Sequence, residues 1–174
     1  MSLQEYLADN QKYVNWFNAF RLRLQTYFPE LTGKIYLTGS RWFKLAYPES
    51  DLEFAAILPA EEQEEMFQRL IVYFKKTHGD AVKGTKTRAG LYLITVDNYE
   101  KEPNIWKLEM TLRTPEQQET ICQHILTSLK TWSDEDKLKY IEGARHDFVN
   151  NNTESYNKRK GWLRVLPITA PQTK

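Results

Sequence analysis

Hydrophobic residues recur at helical spacing at Val14, Phe17, Phe20, Leu24 and Phe28, which predicts an amphipathic helix over 3–28 closed by Pro29. After the Thr32-Gly33-Lys34 turn, the short apolar run Ile35 to Leu37 predicts a first strand. A Gly39-Ser40 turn follows, then a short helix from Arg41 that Pro48 ends. Asp51 to Leu58 alternates polar and apolar at its start and predicts a second strand, stopped by Pro59. Glu61 to Thr77 reads as a helix with Phe67, Leu70, Ile71 and Phe74 on its buried face. Its acids crowd the first turns and Lys75-Lys76 the last, which complements the helix dipole. Residues 83–90 read as a polar, basic connecting loop, Leu91 to Val96 as a strand, and 97–102 as a turn.

The clearest alternation lies at Ile105 to Arg113. Trp106, Leu108, Met110 and Leu112 are predicted on one face of a strand; Lys107, Glu109, Thr111 and Arg113 on the other. Thr114-Pro115-Glu116-Gln117 then carries an N-cap, a proline at the first helical position and a capping-box glutamine. The helix it opens buries Ile121, Ile125 and Leu129. A further helix from Ser133 turns Leu138, Ile141, Ala144 and Phe148 inward, both helices being expected on the sheet, and Asn150 to Asn152 break the pattern. The fold class is α+β: a mixed sheet flanked by helices, with an N-terminal helix and C-terminal helices.

Composition narrows this picture little. At 174 residues one domain over 1–174 is expected, with a core at 35–113 and C-terminal helices and tail at 114–174. Basic and acidic residues number 24 and 23, a balance that argues against a dedicated nucleic-acid binder. The single Cys122 cannot form an internal disulfide and reads as a small core residue. No apolar run is long enough for a signal peptide or a membrane span, so a cytoplasmic location without membrane attachment is expected. His124 and His146 read as structural or surface residues, and Lys158-Arg159-Lys160 as a solvated basic tail.

The chemistry concentrates between Ile35 and Leu58. Asp51 and Glu53 are two apart, so on a strand both carboxylates project from one face while Leu52 and Phe54 point into a core. Two acids on one face repel unless a cation sits between them or one is protonated, and rigid oxygen ligands suit Mg²⁺. Gly39 permits close backbone approach, and amides at a helix start attract phosphate. Arg41 and Lys44 lie close enough in sequence to neutralise a triphosphate, with solvated surface charge as the competing reading. If the 105–113 strand lies beside the Asp51/Glu53 strand, Glu109 joins them as a third acid; Asp97 is the rival. Coincidental acids would instead lie more than ~10 Å apart, too far to share one or two ions.

This order of motifs resembles the DNA polymerase beta-like nucleotidyltransferase superfamily, with Glu53 where most members have aspartate. Ser50-Asp51-Leu52-Glu53 and Trp106-Lys107-Leu108-Glu109 are most similar to aminoglycoside nucleotidyltransferases of the kanamycin type. The resemblance covers residues 35–113 and implies a nucleotidyltransferase fold. It implies that Gly39 and Ser40 hold triphosphate oxygens with Arg41 and Lys44 nearby, and that Asp51, Glu53 and Glu109 bind Mg²⁺, with Glu109 alternatively the general base. The implied reaction moves a nucleoside monophosphate from ATP or another triphosphate to an acceptor hydroxyl, a small molecule being favoured, and releases pyrophosphate. A homodimer or a helical protein partner would complete the acceptor site. The competing reading is a non-catalytic module of the same fold acting with a protein partner.

Overall fold

The computed structural model describes residues 1–163. A mixed five-stranded sheet has the order β1 (Ile35–Thr38), β2 (Leu52–Ile57), β5 (Ile105–Arg113), β4 (Tyr92–Glu100) and β3 (Val82–Lys86). Strands β2 and β5 are parallel; every other neighbouring pair is antiparallel. Among the described residues no helix is long and apolar enough to cross a membrane.

Helices α1 (Leu3–Tyr27) and α3 (Ala60–His78) cover one face of the sheet. Phe17, Phe20 and Leu24 of α1 meet Phe67, Leu70 and Phe74 of α3 in a core shared with Leu52, Phe54, Leu108, Met110 and Leu112. The buried stripe of α1 differs in one respect from the predicted one. Tyr13 and Asn10 carry it toward the N-terminus and Val14 is half-buried, because this end of the helix packs on a polar anchor rather than on the sheet.

Residues 82–86 form strand β3, not a loop, because their backbone pairs with β4 from Val82↔Val96 to Lys86↔Tyr92. Alternation cannot reveal this edge strand, since only Val82 is buried. Likewise β4 runs to Glu100 through a register irregularity between Asp97 and Glu100, where the sequence predicts a turn. In β5 the alternation holds from Leu108 onward. At its start Ile105 enters the core, while Trp106 packs against Phe148 and donates its indole N–H to the Glu49 carbonyl at 2.6 Å.

The predicted capping box forms, Thr114 with Gln117 at α4 (Pro115–Leu129), and Ser133, predicted to start a helix, makes a second box with Asp136 at α5 (Asp134–Val149). Helix α5 does not pack mainly on the sheet as expected. Its Ile141 and Ala144 join Leu3, Tyr6, Leu45 and Tyr47 in a second apolar cluster. The first face of the sheet is already covered, and the second carries charged residues at its centre.

The segment 43–50 between α2 (Gly39–Trp42) and β2 carries no regular structure, yet it is held firmly. Arg41 is buried, with its Cζ 3.4 Å from the Tyr13 ring centroid. Its Nη2–H donates to the Ser50 and Pro48 carbonyls at 2.7 and 3.3 Å, and its Nη1–H to Asn10 Oδ1 at 3.3 Å. Arg145 of α5 grips the Glu49 carboxylate with Nε and Nη2 at 2.9 and 2.8 Å. Replacing Arg41 with Met leaves these buried acceptors without a donor. The expected loss of stability is about 2–4 kcal/mol, read by denaturant unfolding.

Candidate active site

The register of the two parallel strands places Glu53 directly beside Glu109, and Asp51 lies two residues before Glu53 on the same side. One carboxylate oxygen from each of Asp51, Glu53 and Glu109 falls within 4.8 Å of the other two. Leu52 and Phe54, between and after the acids, are buried on the opposite face and lock the orientation. Asp97, the rival third acid, lies opposite Lys107 in the β4–β5 register and is absent from this cluster.

Burial and mutual repulsion disturb these acids strongly. Burial, then the charges of Asp51 and Glu109, push the Glu53 carboxyl up to about 8. Burial and the neighbouring Glu109 raise Asp51 as well, against the pull of Lys160, Lys107 and Arg41. Lys107 Nζ lies 2.7 Å from Glu109 Oε1, and this bond raises the lysine's pKa despite burial. The donor set fits a hard divalent cation: three clustered carboxylate oxygens on rigid strands, with excess negative charge that protons hold in part.

Gly39 touches this cluster. Its φ is +69°, a region that favours glycine, and a Cβ there would overlap Glu53 Oε2 and lie 2.7 Å from the Glu53 carboxyl carbon. Backbone and carboxylate therefore share space that no side chain can enter. Helix α2 is a single turn, so its dipole is small, but its first amides have no intrahelical partner and the Thr38 side chain does not cap them. Ser40 is buried within the turn. Arg41, predicted at the phosphate site, turns its guanidinium inward to the 47–50 segment. Lys44 is exposed, with φ +66°.

Lys160 is the residue that sequence reasoning missed. The predicted basic tail is α6 (Thr153–Arg159) and the turn after it, and this segment is docked. Arg159 Nε donates to the buried Asp147 at 2.9 Å, and the Tyr156 and Tyr47 hydroxyls lie 3.1 Å apart. Lys160 Nζ sits 4.7 Å from the Tyr156 ring centroid. Burial opposes its charge, but Tyr156, Glu53 and Asp51 together raise its pKa. The local sequence offers one signal: Tyr156 four residues before Lys160, the spacing of one helical turn. His124 binds the Trp162 carbonyl at 2.6 Å and His146 lies on the surface beside Asp147.

A cavity of about 520 Å³ opens beside Gly39 and Glu53, between α2 and α4 and under the turn that joins β3 to β4. Cys122 lines it rather than the core.

The chain is an α+β domain with three clustered carboxylates beside a Gly-Ser turn, and its fold is that of the nucleotidyltransferases. No family model matches the chain, and no curated protein does. Among solved structures its fold is similar to that of a mutant Cid1 poly(U) polymerase bound to MgATP, with a TM-score of 0.51 and 11% identity. The match covers 79% of this chain and 44% of the polymerase, so the chain spans less than half of that protein.

Proposed function

We propose that this chain is a single nucleotidyltransferase domain that moves a nucleoside monophosphate from a triphosphate to an acceptor hydroxyl. The observation that carries the reading is the convergence of Asp51, Glu53 and Glu109 beside Gly39. The likeness to a polymerase whose structure holds MgATP supports the triphosphate, and the Trp106-Lys107-Leu108-Glu109 order supports the kanamycin-type branch.

Asp51, Glu53 and Glu109 would hold Mg²⁺, which supplies charge neutralisation at the phosphates and a lowered pKa for a hydroxyl bound next to it. Amides of the Gly39-Ser40 turn and the Ser40 hydroxyl bind the outer phosphates. Lys160 lends positive charge to Asp51 and Glu53. The acceptor oxygen forms a bond to the α-phosphorus as the bond to the pyrophosphate oxygen breaks, and the acceptor proton passes to Glu109 where that carboxylate serves as general base in place of a metal ligand. Arg41 positions Asp51 by fixing the 47–50 segment.

Calorimetric titration with a non-hydrolysable ATP analogue tests the reading. Binding is expected with Mg²⁺, to vanish with EDTA, and to weaken roughly a hundredfold or more in Asp51→Asn. Binding indifferent to both changes would refute it. The Lys107–Glu109 ion pair favours a second reading, a nucleotide-binding module without transfer. Mg²⁺-dependent binding with no pyrophosphate release across an acceptor panel would select it.

A further inference from the structure

We propose that the cavity beside Glu53 receives the acceptor, and that this acceptor is an amphiphilic anion: a flat apolar body bearing a hydroxyl and a carboxylate or phosphate. The inference rests on the transferase reading above and names its substrate class.

Three observations carry it. The first is position. Glu53 and Gly39 form one wall, so a molecule in the cavity lies next to the acids and the turn. The second is the lining. Trp42, Phe43, Leu91 and, from α4, Ile121 and Ile125 line the cavity. At about 520 Å³ the space is of the size that small-molecule sites usually have, and its walls are mainly apolar. The third is charge. Apart from Glu53, the ionic groups on the wall are Arg88, from the turn between β3 and β4, and Arg113, at the end of β5. Arg113 Nη1 donates to Gln118 at 2.9 Å, which holds the guanidinium at the wall. Two guanidinium groups on the wall of a mostly apolar cavity favour a carboxylate or phosphate. Polyamine acceptors would bring positive charge against both arginines and leave the apolar walls unfilled.

Cys122, the chain's single cysteine, lines this cavity and a second pocket beside Val14 and Gln118, so its alkylation is read together with direct binding. The test follows alkylation of Cys122 by iodoacetamide in the full chain, in parallel with the fluorescence of added hydroxynaphthoate. Hydroxynaphthoate should bind saturably and slow alkylation. Naphthol, which lacks the anion, should need roughly tenfold more, and spermine should give no protection. Arg113→Gln and the surface variant Arg88→Gln should each weaken hydroxynaphthoate about tenfold; Arg88 is exposed, so its variant tests the charge without disturbing the fold. Equal binding by wild type and both variants overturns the proposal, as does protection by spermine below the hydroxynaphthoate concentration. Displacement of hydroxynaphthoate by the Mg²⁺–ATP analogue also overturns it, because the cavity would then hold the nucleotide base. Analogue binding measured on the same samples separates the two ideas. If the analogue binds and hydroxynaphthoate does not, only the acceptor assignment falls. If hydroxynaphthoate binds with the arginine dependence and the analogue does not, the cavity's anion preference stands and the transferase reading falls.

Discussion

Gly39→Ala should abolish Mg²⁺-dependent triphosphate binding while the chain still folds. The new methyl group would occupy the space of Glu53 Oε2, with the Glu53 Cβ only 3.1 Å away. Two responses are open to the protein. The Glu53 carboxylate can swing out of the acid cluster, or the turn can move away from β2. Either separates the backbone of the turn from the carboxylates, which the proposed site requires to adjoin. An L-residue at φ +69° adds backbone strain of about 1–2 kcal/mol, small enough for a chain with this core to remain folded. Calorimetry should show analogue binding weakened by about a hundredfold or more, with far-UV circular dichroism unchanged. Unimpaired binding in Gly39→Ala would mean that the turn takes no part in the site.

Glu53→Gln should have the opposite effects on stability and on binding. In the fold the Glu53 carboxyl titrates near 8, against an ordinary value of 4.5. A group whose pKa is raised by folding favours the folded state fully below its unfolded value. That advantage is lost as pH rises from about 4.5 through 8. Without divalent cation, the melting temperature of the wild type should therefore fall between pH 5 and pH 8, and Asp51, shifted in the same direction, steepens the fall. Glutamine carries no charge at any pH and flattens the profile. At pH 8 the variant should be the more stable by about 2–4 kcal/mol, or roughly 5–15 °C in melting temperature. Added Mg²⁺ should restore the wild type at pH 8 by binding the deprotonated acids and should do little for the variant. Thermal scans with Mg²⁺ and with EDTA at several pH values read all of this. Parallel profiles for the two proteins would show that Glu53 is not held neutral by its surroundings. The pairing of higher stability with lost metal binding is characteristic of a functional site, where like charges are kept together for their joint effect.

The sequence determined the elements and much of the candidate chemistry. Alternation along 105–113 and the two-residue spacing of Asp51 and Glu53 are local properties of strands, so they can be read one segment at a time. The capping boxes at Thr114 and Ser133 are equally local, since each donor and acceptor lie within four residues. Edge strand β3 escaped because most of its residues are exposed and its definition rests on backbone pairing, which leaves no hydrophobic signature.

Only the tertiary structure decided which charges meet. The parallel pairing of β2 with β5 sets Glu53 beside Glu109, and a shift of one residue would have turned Glu109 to the other face. Arg41, beside the Gly-Ser turn in sequence, faces inward because Tyr13 and Asn10, from a helix far earlier in the chain, offer it a ring and a carbonyl. Lys160 reaches Asp51 and Glu53 from more than a hundred residues away because Arg159 and Tyr156 dock its segment. The cavity with Arg113 and Arg88 exists only where α4 folds back across the open face of the sheet. Charge–charge energies depend on distance and burial, and neither is a property of sequence separation. For that reason a single sequence can propose the three carboxylates, while the fold alone selects the cations and the walls that surround them.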